Sequence, residues 1–157
     1  MKTISKLFFL LALVFGGLTG VKAQTSLADD KAMKAGEVDS LVKNKNYVFE
    51  ATHVKATTGD TSVYHKYSVA IAKDTLMAWL PGSNGTDTAK VSCTNYDYHV
   101  VKNERGNKVV YIKPNSALGN VRQLSIDITP TGHATLRVVK NGGATFTLEG
   151  YIKQETY

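Results

Sequence analysis

The chain has 157 residues, with 19 Lys and Arg against 13 Asp and Glu, and a single cysteine. That length allows one domain with a real core, and a lone thiol rules out an internal disulfide, so packing alone must hold the fold. Removing the first 23 residues leaves 134 and takes three of the six net positive charges with it; the remaining cations are interspersed with acids, which argues against a nucleic-acid surface.

Those first residues read as an export signal. Lys2 and Lys6 form a basic start, Leu7 to Leu18 an apolar core too short for a comfortable membrane span, and Val21 and Ala23 the small-residue pattern of a cleavage site. Cleavage is expected between Ala23 and Gln24, leaving no stable membrane span and a periplasmic or secreted protein. No cysteine follows the apolar run, so a lipid anchor is not supported.

Residues 24–157 read as a single β-rich domain opened by a helix over about residues 26–44. Ser26 and Asp29 resemble a capping box. Asp29 and Asp30 suit the positive end of the helix dipole, and Lys43 and Lys45 the negative end. Leu27, Met33, Val38, Leu41 and Val42 form an apolar stripe that Gly36 weakens in the middle.

From Tyr47 the period changes to two. Strands are predicted at Tyr47–Ala56, Ser62–Ala72, Thr75–Pro81, Lys90–Thr94, Tyr96–Lys102 and Lys108–Lys113, with "TTGDT", "KD" and "NERGN" as turns. Pro81 stops its strand. The following "GSNGTDTA" needs no role beyond that of a connecting loop, since its Gly, Ser, Asn and Asp residues favour turns.

The C-terminal third alternates most clearly. Leu124, Ile126 and Ile128 share one face, as do Ala134, Leu136 and Val138, and then Phe146, Leu148 and Ile152. One wet and one dry face, with short turns between strands, marks an antiparallel meander. The fold class is mainly β (α+β): a single curved antiparallel β-meander of about eight strands, barrel-like or strongly bent, with one N-terminal helix to help cover its dry side.

Motifs for catalysis are few. His53, His65, His99 and His133 show no metal-ligand spacing, although His53 and His65 could face each other across a hairpin. There is no nucleophile elbow, P-loop or dinucleotide fingerprint. Cys93 reads as a small buried residue rather than a nucleophile. No catalytic residue, metal or cofactor is assigned. The aromatic residues on strands are more suggestive. Tyr47, Phe49, Tyr67, Trp79, Tyr98 and Tyr111 are candidate ligand-binding residues if a concave face collects them, offering a stacking surface for an apolar or sugar-like molecule.

Several segments carry a resemblance: "YVFEA" at Tyr47–Ala51, "LP" at Leu80–Pro81 and "GYI" at Gly150–Ile152, behind a signal and a short helix. Together they resemble a Bacteroidota family of secreted or periplasmic proteins catalogued as a domain of unknown function. The resemblance covers Val38 to Ile152 and implies an envelope location with no known enzymatic activity. Where relatives commonly continue "LP" with an aromatic and a glycine-arginine-aromatic stretch, this chain has "GSNGTDTA". "DTA" at Asp87–Ala89 also resembles the short Asp-Thr-small motif at which exported proteins of Bacteroidota can be O-glycosylated, which makes Thr88 a candidate acceptor. "DTL" at Asp74–Leu76 and "DSL" at Asp39–Leu41 match the same pattern.

The function expected is that of an exported, non-catalytic domain binding a small apolar or glycan ligand, or a protein partner, in the cell envelope. The alternatives are an envelope hydrolase with dispersed acidic and histidine residues, and a structural or assembly protein.

Overall fold

The computed structural model describes residues 32–56, 59–62, 66–82, 88–115 and 120–155. The expected export signal 1–23, the expected capping residues Ser26 and Asp29, Leu27, Val63, Tyr64, His65 and residues 83–87 of the expected loop lie outside the described residues.

Helix α1 spans Ala35–Asn44; residues 32–34 before it are not helical, and residues 26–31 of the expected helix lie outside the described residues. Lys34 is extended (φ −74°, ψ 141°), and its carbonyl accepts the first helical bonds, from the Glu37 and Val38 amides. The Met33 amide donates to the Thr131 carbonyl at 3.1 Å, which ties the chain just ahead of α1 to a turn of the sheet. Gly36 sits in the first turn, where its weak propensity costs less than mid-helix. Val38, Leu41 and Val42 are buried, so the predicted stripe is the packed face.

Among the described residues ten strands follow: β1 (Asn46–Ala56), β2 (Gly59–Ser62), β3 (Ser68–Ala72), β4 (Thr75–Pro81), β5 (Thr88–Cys93), β6 (Tyr96–Lys102), β7 (Lys108–Pro114), β8 (Val121–Ile128), β9 (His133–Lys140) and β10 (Thr145–Gln154). Nine form one antiparallel path in the order β5-β4-β3-β1-β10-β9-β8-β7-β6, and β2 adds to β1. The run expected as one strand over Ser62–Ala72 is divided: β2 pairs with the second half of β1 (His53↔Ser62), and β3 with its first half (Asn46↔Ala72). One eleven-residue strand thus serves two partners on the same side, and the chain between them must break.

The sheet's two edges, β5 and β6, are consecutive in the chain, joined only by Thr94 and Asn95. About 10 Å of backbone separates their ends, so the edges meet at that corner and the sheet rolls into a nearly closed barrel. Side-chain contacts tie α1 and its C-cap to β6 and β7. Asp39 pairs with Lys108 at 3.1 Å, the Val42 carbonyl accepts from the Tyr98 hydroxyl at 2.9 Å, and the Lys45 ammonium lies 5.5 Å from the Tyr96 ring.

Alternation sends one set of side chains inward. Tyr47, Phe49, Tyr67, Ile71, Leu76, Leu80, Ile112, Leu124, Ile126, Ile128 and Leu136 are completely enclosed, and each such side chain contributes roughly 1.5–3 kcal/mol of burial. One cation joins them. Lys140, only 9% exposed, donates to the Pro81 carbonyl at 2.8 Å and lies 4.8 Å from the Phe146 ring, linking β9 to the end of β4. Among the described residues no helix is long and apolar enough to cross a membrane.

Candidate functional site

Because the dry face is packed, the outer face is the one offered to other molecules. Pairing register places its residues in rows. Asp127 on β8 stands opposite Thr135 on β9, and Thr135 opposite Glu149 on β10. Further along, His133 on β9 stands opposite Tyr151 on β10. These rows bound a groove of about 210 Å³ lined by Asn107, Asp127, Thr129, His133, Thr135 and Glu149, with Ala134 and Gly150 at its floor.

Gly150 is required there by backbone proximity. A Cβ at this position would collide with the Glu50 carbonyl on the neighbouring strand. The approach is close because β1 bulges: Ala51 pairs with Gly150 and His53 with Glu149, which leaves Thr52 as the extra residue. The Thr52 hydroxyl donates to the Glu149 carbonyl at 3.1 Å and is joined by His53 Nδ1 at 3.0 Å.

The lining groups are held in place. Asn107 Nδ2 donates to Asp127 Oδ1 at 2.9 Å, and the Asn107 backbone amide is anchored by Asn103 Oδ1 within the "NERGN" turn. Lys55 pairs with Glu149 Oε1 at 2.7 Å. Beside the groove, the Tyr151 hydroxyl donates to Glu50 Oε2 at 2.9 Å. Carboxylate, amide, hydroxyl and imidazole groups therefore converge on one depression, the mixture of donors and acceptors that a polyhydroxylated ligand matches. Among the described residues, no three His, Cys, Asp or Glu side chains are grouped to hold a metal ion. His53 faces Ser62 across the β1–β2 pair, and His65 is outside the described residues.

The six aromatic candidates do not share a surface. Tyr47, Phe49 and Tyr67 lie in the core at 0–1% exposure. Trp79 points outward from β4 beneath Lys90, whose ammonium is 5.5 Å from its ring. Tyr111 is 41% exposed on the outer face of β7. Tyr47 and Tyr98 meet hydroxyl to hydroxyl at 3.2 Å. Burial raises both phenols, Tyr47 well above the ordinary range and Tyr98 to about 12. Cys93 is enclosed, its thiol pushed up by burial and turned to the Asn95 carbonyl at 3.5 Å, which makes it a poor nucleophile. Thr88 pairs with Pro81 through the backbone, but its side chain lies outside the described residues.

Residues 29–152 match the family model described as Domain of unknown function (DUF4251). The chain belongs to the DUF4251 family. A crystal structure of a DUF4251 family protein from Bacteroides eggerthii is similar in fold, with a TM-score of 0.63 over 76% of this chain and 87% of that chain, at 21% identity. No curated protein matches the chain significantly. In this DUF4251 chain the segments that carried the resemblance have structural roles. Tyr47, Phe49 and Ala51 of "YVFEA" point into the core, Pro81 ends β4 and offers its carbonyl to Lys140, and Gly150 of "GYI" admits the bulged β1.

The groove was missed in the sequence because its parts are far apart there. Asn107, Asp127, His133 and Glu149 become neighbours only through the register of four strands. The one local signal is Gly150, a glycine inside a strand, which indicates close backbone approach.

Proposed function

We propose that this DUF4251 chain is an exported, non-catalytic domain of the cell envelope that binds a glycan in the groove over Gly150. The N-terminal signal pattern supports export. The observation that carries the ligand class is the lining itself: the Asn107 amide, the Asp127 and Glu149 carboxylates, the Thr129 and Thr135 hydroxyls and the His133 imidazole surround a floor formed by Ala134 and Gly150. Sugar hydroxyls exchange hydrogen bonds with such groups, and the Tyr151 ring stands on the same face to flank the less polar side of a sugar. The interior is occupied by the chain's own side chains, which favours an external site over a ligand enclosed in the barrel.

Isothermal titration with a panel of neutral oligosaccharides tests this reading. Saturable binding that Asp127→Ala and Glu149→Ala each weaken by about tenfold, the loss of one hydrogen bond to a charged group, is expected. No binding from any saccharide, or binding that both variants leave unchanged, would overturn it.

One observation favours a hydrolase as the second reading. Asp127 and Glu149 face the same groove from strands separated by β9, so their backbones stand about 9.5 Å apart. Paired carboxylates across a cleft are what glycoside hydrolysis requires. Release of reducing ends, abolished by Asp127→Asn, would select hydrolysis; binding without release selects the binding domain.

A further inference from the structure

A second pocket, independent of the groove, opens where the helix ends. It has a volume of about 120 Å³ and is lined by Lys45, Lys73, Asp74, Thr94, Asn95 and Tyr96. We propose that it binds the anionic group of a small ligand, a compact carboxylate, sulfate or phosphate.

The first support is conformational. Among the described residues only Lys45, Lys73 and Asn120 are non-glycine residues with positive φ, and two of them meet in this pocket. Lys45 has φ 51° and ψ 52°, and Lys73 has φ 45°. Their backbones are joined, the Lys73 amide donating to the Lys45 carbonyl at 2.8 Å. Left-handed backbone favours glycine, and a lysine there is strained. The helix C-terminus attracts a cation and explains the ammonium of Lys45. Lys73 reaches the same pocket from the β3–β4 turn, so a second cation is brought to the helix end by a separate element.

The second support is charge and placement. The lining holds two lysines against one carboxylate, Asp74, and no ion pair joins Asp74 to either lysine among the described residues. Lys45 is held over two rings, 5.5 Å from that of Tyr96 and 5.0 Å from that of Tyr98. The Tyr96 hydroxyl donates to the Lys73 carbonyl at 2.6 Å, which fixes the turn that carries the second cation. Thr94 and Asn95 add a hydroxyl and an amide from the barrel corner. An adjoining depression of about 480 Å³, lined by Asn44, Asn46, Ala72, Lys73 and Thr75, shares Lys73 and gives room for the body of a ligand whose anion sits between the lysines.

Amide-shift titration of the whole domain at constant ionic strength tests this, with glucuronate, inorganic phosphate and glucose as probes. Saturable shifts at Lys45, Lys73, Thr94, Asn95 and Tyr96 are expected with an anion and not with glucose. Glucuronate alone would point to an acidic sugar, and phosphate alone to a phosphorylated or inorganic ligand. Lys73→Gly and Lys73→Asn each remove the ammonium and suit the left-handed backbone, so affinity is expected to fall at least tenfold while Tm holds or rises. No saturable shift with either anion, or undiminished affinity in both variants, overturns the proposal.

Discussion

The Tyr47 hydroxyl, fully enclosed in the core, donates to the Tyr98 hydroxyl at 3.2 Å, while Tyr98 spends its own proton on the Val42 carbonyl at 2.9 Å. The relay joins β1, β6 and the last turn of α1, tying the helix and the β6 edge to a central strand of the sheet. Its order makes the two phenols unequal. Tyr98→Phe strands both the buried Tyr47 hydroxyl and the Val42 carbonyl, and about 2 kcal/mol of destabilisation is expected. Tyr47→Phe leaves the bond to Val42 intact and is expected to cost about 1 kcal/mol or less. Urea midpoints of the two variants check the order; equal losses would remove the relay as a determinant of stability.

The same pair sets the behaviour at alkaline pH. Burial, the largest cause for each, holds both phenols above the ordinary value of 10.0, Tyr98 at about 12. Above pH 10 the unfolded chain releases these protons and the folded chain keeps them. Their contribution is therefore whole below pH 10 and is lost as pH rises toward and through 12. Each withheld proton lowers stability by about 1.4 kcal/mol per pH unit in that window. Chemical denaturation repeated up to about pH 11 should show this decline, and Tyr98→Phe should make it shallower. A slope unaffected by the substitution would contradict the assignment.

Gly150→Ala is expected to be among the most damaging single changes. The added Cβ falls on the Glu50 carbonyl oxygen and carbon, which are backbone and cannot step aside like a flexible side chain. Relief requires moving β1 away from β10 at the bulge, and a loss of about 3 kcal/mol or more is expected. Circular dichroism melting measures it. A melting temperature within a few degrees of the parent's would show that the two strands separate easily.

Mass spectrometry of protein recovered from its native host addresses export and modification together. The mass of residues 24–157 is expected if the segment is cleaved after Ala23. Additional mass that Thr88→Ala abolishes would assign a glycan to Thr88, whereas the bare mass rejects modification there.

Much of the barrel was legible because most strands show water one face and the core the other. Leu124, Ile126 and Ile128 alternate in sequence and are all buried in β8, and Thr75–Pro81 is a strand over the expected residues. Local signals failed where a distant partner decided. Residues 32–34 ahead of the helix are not helical, and the Met33 amide bonds to Thr131, far along the chain. The run from Ser62 to Ala72 divides because β1 demands two partners, which no periodicity within the run announces. The placement of the aromatic residues was hidden for a related reason. Period two tells which residues share a face of one strand, but rolling the sheet decides whether that face is inside. Tyr47 and Phe49 went inward to become core, and Tyr111 outward.

The most direct measurement is an amide-resolved NMR titration of residues 24–157 with the tightest-binding neutral saccharide. Shifts concentrated at Asn107, Asp127, Thr135, Glu149 and Gly150 are expected, with the inward-facing Tyr47, Ile126 and Leu136 unmoved. Shifts centred on Tyr47, Ile126 and Leu136 instead would place the ligand inside the barrel and contradict an external site.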